Sequence, residues 1–219
     1  LRKVQWNAIE ALNIGYSSYG VYIEDTGVLK AENIVDITFG NKVQTIPVSL
    51  CLGLEKLTNI TISNSVTSIG EYAFYNCSSL ESINIPNSVY VIPMYAFSKC
   101  ESLKSIILGD NVTSIGEGAF SYCSPMESIT LPATIRSIEC KFPENLDTII
   151  CFSNRRPYIC EQPRALYKEC VVFVPKGSYL EYKDLNSSWY EFKNILELKG
   201  KEYTITINVN DEKMGSVKG

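Results

Sequence analysis

The stretch VTSIGEYAFYNCSSLESINIP, residues 66–86, decides how this chain folds, because the sequence repeats it. Residues 112–132 are VTSIGEGAFSYCSPMESITLP, and a looser copy, VYVIPMYAFSKCESLKSIILG, lies between the two at 89–109. The copies begin 23 residues apart (89 minus 66, 112 minus 89). A fixed period of this length is typical of solenoid proteins, in which each repeat packs on the next.

The apolar positions of the repeat predict one short strand per copy. Leu80, Ile83 and Ile85 stand at relative positions 0, 3 and 5, and the last two alternate with a polar residue, as in a strand with one buried face. A copy this short cannot bury its own side chains, so they leave water only by stacking, which contributes about 1.5–3 kcal/mol per Ile or Leu. The spacing predicts eight rungs, whose last inward residues are Trp6, Phe39, Ile62, Ile85, Leu108, Leu131, Cys151 and Val174.

The period is irregular in two places. Trp6 and Phe39 are 33 residues apart (39 minus 6), which predicts a looped insertion at 8–33. Met126 and Leu146 are only 20 apart (146 minus 126), which predicts a shortened outer segment. In the regular copies, the pattern Ile-Gly-Glu-x-Ala-Phe predicts a tight bend into a short helical or 3₁₀ turn with Phe inward.

Composition excludes several classes of function. The chain has no His, which removes Ser-His-Asp triads, Cys-His pairs and His-based metal sites. Its net charge of -4 is mild and no block of Lys or Arg is present, so nucleic acid is not an expected partner. No apolar run reaches the length of about 18 residues that a membrane span needs. We therefore expect a non-enzymatic protein with no cofactor and no metal.

The eight cysteines have a structural interpretation. Cys77, Cys100 and Cys123 recur with the period, and the same slot holds Leu54 in an earlier copy, so we predict buried free thiols that act as small apolar residues. The other cysteines lack metal-ligand spacing. A disulfide between Cys160 and Cys170 stays open as an alternative.

The pattern L-x-x-I-x-I-P-x-x-V-x-x-I-x-x-x-A-F-x-x-C resembles the leucine-rich repeats of the BspA-like class. This resemblance implies an α/β repeat fold: a right-handed solenoid with a parallel β-sheet on the concave side and short helical or irregular turns on the convex side. It covers residues 1–199, in which 171–199 resemble the C-terminal capping unit of such arrays. Residues 200–219 resemble a linker and the beginning of a truncated bacterial β domain.

The same resemblance implies a function and a location. BspA-like proteins are surface or secreted proteins of bacteria associated with adhesion, so we expect an extracellular or cell-surface module that binds a macromolecule, a protein of the host matrix or of a cell surface. One alternative is a structural spacer that displays neighbouring domains. A glycan-binding module is a further alternative.

The residues between the inward strand positions should point outward, because side chains alternate along a strand. This outward column begins with Gln5 and Thr38 and passes from polar to apolar along the array. Whether the cap or the loop 155–163 covers its C-terminal part stays open. The predicted ligand-binding residues on the concave face are Thr61, Asn84, Ile107, Thr130, Ile150 and Phe173.

Overall fold

The computed structural model describes residues 3–6 and 34–198, and shows a parallel-sheet solenoid of about seven coils with little helix. The predicted insertion at 8–33 and the predicted linker and β domain at 200–219 lie outside the described residues. The elements, in chain order, are β1 (Lys3–Trp6), β2 (Asp36–Phe39), β3 (Thr45–Ile46), β4 (Asn59–Ile62), β5 (Ser68–Ile69), β6 (Ser82–Asn84), β7 (Val91–Ile92), β8 (Ser105–Ile107), β9 (Ser114–Ile115), β10 (Ser128–Leu131), β11 (Ser137–Ile138), β12 (Thr148–Cys151), β13 (Tyr158–Ile159), α1 (Arg164–Glu169), β14 (Val171–Val174), α2 (Tyr179–Tyr182), a 3₁₀ turn (Ser188–Glu191) and β15 (Asn194–Glu197).

The longer strands form the broad side of the solenoid. Their hydrogen-bonded ladder has three parts, β1-β2-β4, β6-β8 and β10-β12-β14-β15, and every pair is parallel. Ile83 pairs with Ile106, and Ile129 pairs with Ile149, all four buried. The apolar period therefore places equivalent residues of successive coils in one column, and the predicted stacking of the strands is confirmed.

A second, narrow ladder runs beside the first and was not foreseen from the sequence. It is built from two-residue parallel strands, β3-β5 and β7-β9-β11-β13. Ile92, Ile115 and Ile138 lie in register and are buried, while the residue before each of them faces outward. Each coil that contains one of these short strands thus has two corners fixed by backbone hydrogen bonds to its neighbours.

The segment that follows the narrow ladder differs from the helical turn that the sequence suggested. Ala73 N donates to Gly70 O at 3.2 Å within the turn, whereas Phe74 N donates across to Ala96 O of the next coil at 2.9 Å. The alternation continues, since Asn76 N donates to Ser98 O at 2.8 Å. Every second amide is thereby used to join coils, so a helical ladder cannot form there.

An aromatic stack runs through the core of the regular coils. The rings of Phe74 and Phe97 are nearly parallel with centroids 5.3 Å apart, and those of Phe97 and Phe120 are 6.0 Å apart. All three are fully buried. The Phe of each copy therefore points inward, as predicted, and contacts the Phe of the next coil.

The C-terminal part consists of a strand, a short helix, a 3₁₀ turn and a last strand that covers the preceding one. After β14, α2 and the 3₁₀ turn lead to β15, which pairs with β14 and extends the broad sheet. Trp189 is fully buried, and its Nε1 donates to Pro157 O at 2.7 Å. Tyr182 is also fully buried, and its hydroxyl donates to Ser153 O at 2.7 Å. The indole N–H of Trp189 and the hydroxyl of Tyr182 thus keep hydrogen-bond partners although both rings are buried.

A buried polar side chain of the following coil, which the sequence did not reveal, forms hydrogen bonds to the shortened outer segment. Gln162 is only 3% exposed, and its Nε2 donates to Cys140 O and to Cys160 O, both at 3.0 Å. Its Oε1 accepts from Phe142 N at 2.9 Å. The amide therefore replaces backbone hydrogen bonds where the coil is too short to make the regular turn.

Candidate binding face

The outward side of the longer strands, termed the broad face, collects the six predicted binding residues. Their register is shown within each part of the ladder: Thr38 pairs with Thr61, Asn84 with Ile107, and Thr130 with Ile150. Ile150 in turn pairs with Phe173. The parts of the ladder are joined by the 23-residue period, which relates Thr61 to Asn84 (84 minus 61) and Ile107 to Thr130 (130 minus 107).

Exposure along this column changes from one end to the other. Thr61 and Asn84 are exposed, and Ile107, Thr130, Ile150 and Phe173 are each half-buried. Neither the cap nor the loop 155–163 removes the apolar residues fully from the surface.

One residue of this column was missed by the sequence reasoning. Leu196 pairs with Phe173 and is 50% exposed, so it extends the column by one strand. The sequence did indicate Leu196, because it stands 23 residues after Phe173 (196 minus 173) and alternates with Ile195, which is buried. The part of the column from Ile107 to Leu196 is termed the apolar strip.

A second outward column lies beside the apolar strip and is made mostly of short polar residues, with one Val. Alternation along each strand places Ser105, Ser128 and Thr148 two residues before Ile107, Thr130 and Ile150 respectively. Because these neighbours are short, they leave the strip accessible from the side. The column consists of Asp36, Asn59, Ser82, Ser105, Ser128, Thr148, Val171 and Asn194.

The cysteines are free thiols, and all but Cys160 are buried. The Sγ of Cys77 donates to Cys51 O at 3.2 Å, and that of Cys100 donates to Phe74 O at 3.3 Å. Burial raises the pKa of Cys123 to about 12, so its thiolate is not populated near neutral pH. These thiols fill apolar slots, as predicted, and they are not poised as nucleophiles.

The two cysteines of the proposed disulfide have separate partners. The Sγ of Cys160 donates to Cys140 O at 3.2 Å, and Cys170 Sγ lies 3.7 Å from Val171 O. Both are free thiols in this structure.

Metal-ligand clusters and membrane-crossing helices are both absent from the part of the chain that the structure describes. Within 3–6 and 34–198, no three His, Cys, Asp or Glu residues are grouped so that they could hold a metal ion. Neither α1 nor α2 approaches the length and apolarity of a membrane-crossing helix, and no other helix described here does.

The chain is similar to solved leucine-rich repeat structures, and the first of them shares its fold. A leucine-rich repeat protein of T. pallidum is 20% identical, with a TM-score of 0.51, over 74% of this chain and 70% of that one. A leucine-rich repeat protein of Bacteroides ovatus is 29% identical (TM-score 0.44; 62% of this chain, 44% of that one). A leucine-rich cell surface protein of Faecalibacterium prausnitzii is 18% identical (TM-score 0.47; 80% of this chain, 59% of that one). The chain thus spans about half the length of the last two.

The repeat itself identifies the family. No curated protein matches the chain. The family model described as the BspA type leucine-rich repeat region matches residues 22–150 in six copies, which is more than half of the 219 residues. The stacked parallel strands, the inward Phe and the buried Cys slot are the structural form of that repeat. The chain therefore belongs to the BspA-type leucine-rich repeat family.

Proposed function

We propose that this chain is a non-enzymatic adhesion module of a bacterial cell-surface or secreted protein. It binds a protein of the host matrix or of another cell surface through the broad face. The proposed contact residues are Thr61, Asn84, Ile107, Thr130, Ile150 and Phe173, to which we add Leu196 because it pairs with Phe173 and is exposed. The location follows the resemblance to BspA-like proteins, which are surface and secreted proteins of bacteria.

The observation that carries this proposal is the apolar strip. Ile150, Phe173 and Leu196 are in register on neighbouring strands, so their side chains are about 4.8 Å apart along the solenoid axis. From Ile107 to Leu196 the strip crosses five strands, and Leu196 is 50% exposed. Ile150, Phe173 and Leu196 are contiguous, and Thr130 separates them from Ile107. An apolar patch on a protein surface is typical of a contact site.

The other end of the same column is polar and exposed. Thr61 and Asn84 are exposed, and they continue the line of the strip beyond Ile107. An interface that combines an apolar centre with polar residues around it is the usual anatomy of a protein contact. The column thus offers a partner both desolvated area and hydrogen-bonding groups.

The test is a biosensor measurement of the chain against a panel of purified extracellular-matrix proteins. A triple variant, Asn84→Lys, Ile107→Lys and Thr130→Lys, places three charges on the broad face. We expect it to lose binding by at least about tenfold, since a buried unpaired charge opposes association.

The matched control carries the same charges elsewhere. Thr45→Lys, Ser68→Lys and Ser114→Lys lie on the narrow ladder, at the outward residue of β3, β5 and β9. This variant should bind as the wild type does, and circular dichroism should show that both variants are folded. Equal binding by the broad-face variant, or no binding by the wild type, would instead favour a spacer that displays neighbouring domains.

A further inference from the structure

The turns after the narrow ladder contain two columns of residues with left-handed backbone. In each of the regular coils, two positions four residues apart have φ between +53° and +75°. Both columns follow the 23-residue period. The first column holds Ser49, Tyr72, Tyr95 and Gly118, and the second holds Gly53, Asn76, Lys99 and Tyr122.

This backbone is unfavourable for most of the residues that occupy it. A left-handed conformation costs an L-residue roughly 1–2 kcal/mol, because Cβ approaches the carbonyl oxygen, and glycine avoids the cost. Gly53 and Gly118 occupy the same columns in neighbouring coils, so glycine fits these turns. Tyr72, Tyr95 and Tyr122 are thus bulky side chains at positions where the fold needs none.

Tyr72 and Tyr95 contact each other. The rings of Tyr72 and Tyr95 stack with centroids 5.1 Å apart, and Tyr75 lies 5.8 Å from Tyr72. Lys99 Nζ lies 5.4 Å from the centre of the Tyr75 ring. An aromatic pair contributes about 0.5–1.5 kcal/mol beyond its buried area, which offsets part of the backbone cost at these positions.

Tyr122 gains no such contact. It is 69% exposed, and its side chain makes no hydrogen bond or ring contact with any residue in the described ranges. It does lie beside Lys99: Tyr122 follows Lys99 by one period in the second column, and Lys99 N donates to Ser121 O at 2.8 Å. The carboxylate of Glu117 chiefly raises the pKa of Tyr95, and Tyr122 adds to that shift. A hydrogen bond to Tyr75 chiefly raises the pKa of Lys99, with a smaller contribution from Tyr122. Backbone strain without a packing reason is an indication of function.

The tyrosine cluster, Tyr72, Tyr75, Tyr95, Lys99 and Tyr122, has a defined chemistry. It offers an uncovered aromatic ring beside phenol hydroxyls and an ammonium group, and the Tyr95 hydroxyl lies 3.5 Å from Glu117 Oε1. A stable protein interface buries about 800 Å² on each partner, more than one exposed ring and its half-buried neighbours provide. The cluster is therefore of a size that suits a small ligand.

A pyranose ring has the matching surface. A sugar whose hydroxyls are all equatorial presents only C–H groups on its two faces, which stack on an aromatic ring, while its rim donates and accepts hydrogen bonds. Lys99 supplies a donor and Glu117 an acceptor, and a second carboxylate, Glu101, acts on Lys99, so the site has no excess of positive charge for an acidic sugar and favours a neutral one. We propose that the tyrosine cluster is a binding site for neutral, all-equatorial pyranosides, with one sugar ring packed on Tyr122.

The test is isothermal titration calorimetry of the whole chain with cellotriose and with N-acetylchitotriose. The informative variant is Tyr122→Gly, which removes the ring and also relieves the backbone at φ +64°. We expect binding to fall at least about tenfold, which corresponds to 1.4 kcal/mol, while the melting temperature stays the same or rises. Tyr122→Phe keeps the ring and should retain most of the affinity.

The matched control is Tyr158→Ala, which removes an equally exposed tyrosine (62%) from the narrow ladder and should bind as the wild type does. Absence of binding to both saccharides, or unchanged binding by Tyr122→Gly, would overturn the proposal. So would a loss of matrix-protein binding by Tyr122→Gly, because the cluster would then be part of a protein interface. The broad-face lysine variant should keep its saccharide binding, which separates this site from the proposed adhesion face.

Discussion

The stack of Phe rings in the core allows a quantitative prediction of the free energy of unfolding that the substitution Phe97→Ala removes. Phe97 is fully buried and contacts Phe74 on one side and Phe120 on the other. Truncation removes the ring from both contacts and leaves a cavity in the middle of the array. Replacing a buried Phe with Ala costs about 3–5 kcal/mol, in which lost transfer energy and the cavity both contribute. Because whole domains are stable by about 5–15 kcal/mol, this one ring accounts for a large share.

The assay is equilibrium unfolding in urea followed by far-ultraviolet circular dichroism. Phe97→Leu keeps most of the apolar volume and should cost less than Phe97→Ala, since only the ring contacts and part of the volume are lost. Tyr90→Ala removes an aromatic side chain that is 54% exposed and should change the free energy of unfolding by less than about 0.5 kcal/mol. A loss below about 1 kcal/mol for Phe97→Ala would refute the view that stacking between coils holds the solenoid together.

Three further predictions concern the thiols and the turns. Burial raises the pKa of Cys123 and Cys170 from 9.0 to about 12. Because the thiols of the unfolded chain ionise first, the free energy of unfolding should be unchanged below pH 9 and should fall as the pH rises towards 12. Urea titrations at pH 8, 10 and 11 would measure this fall. In native protein at pH 8, iodoacetamide should modify Cys160 well before the other cysteines, which mass spectrometry would show, whereas denatured protein should react throughout. Gly118→Ala should lower the free energy of unfolding by at least about 1 kcal/mol, since the added Cβ would clash with Tyr95 Cε1 at φ +62°. An unchanged melting temperature would contradict this account of the turn.

The sequence predicted the parts of the fold that depend on a repeated side-chain pattern. The column of Ile83, Ile106 and Ile129 follows from the period, because equivalent apolar residues must meet when the coils stack. The same logic predicted the Cys77 slot, whose thiol adds a hydrogen bond to Cys51 O that no pattern could show. The outward column followed from strand alternation.

The backbone of the turns could not be predicted in the same way. The left-handed column that contains Ser49, Tyr72, Tyr95 and Gly118 has no common side chain, so only its glycine carries a signal for positive φ. The narrow ladder was missed for a similar reason. Its strands have two residues, as in Ser68–Ile69, which is too short for an alternating pattern to be recognised. Leu196 was overlooked because it lies in the cap, beyond the regular copies.

Within one coil, the sizes of two core side chains compensate for each other. Cys51 stands in the column of Phe74 (74 minus 23), and in the same coil Phe39 stands in the column of Ile62 (62 minus 23). The two residues thus exchange large and small side chains, and the Phe39 ring meets Phe74 edge-on, with centroids 6.2 Å apart and planes at 74°. Since interiors are close-packed, we expect the coil to hold one ring in either place but not in both.

This exchange predicts a coupling that independent coils would not have. Phe39→Ile alone should leave a cavity, and Cys51→Phe alone should overpack the coil at a cost of about 1–3 kcal/mol. The double variant has the pattern of the next coil, so its loss should be smaller than the sum of the two by at least about 1 kcal/mol in urea unfolding. Additive losses would mean that Phe39 and Cys51 do not share space, and that each column is packed without regard to the other.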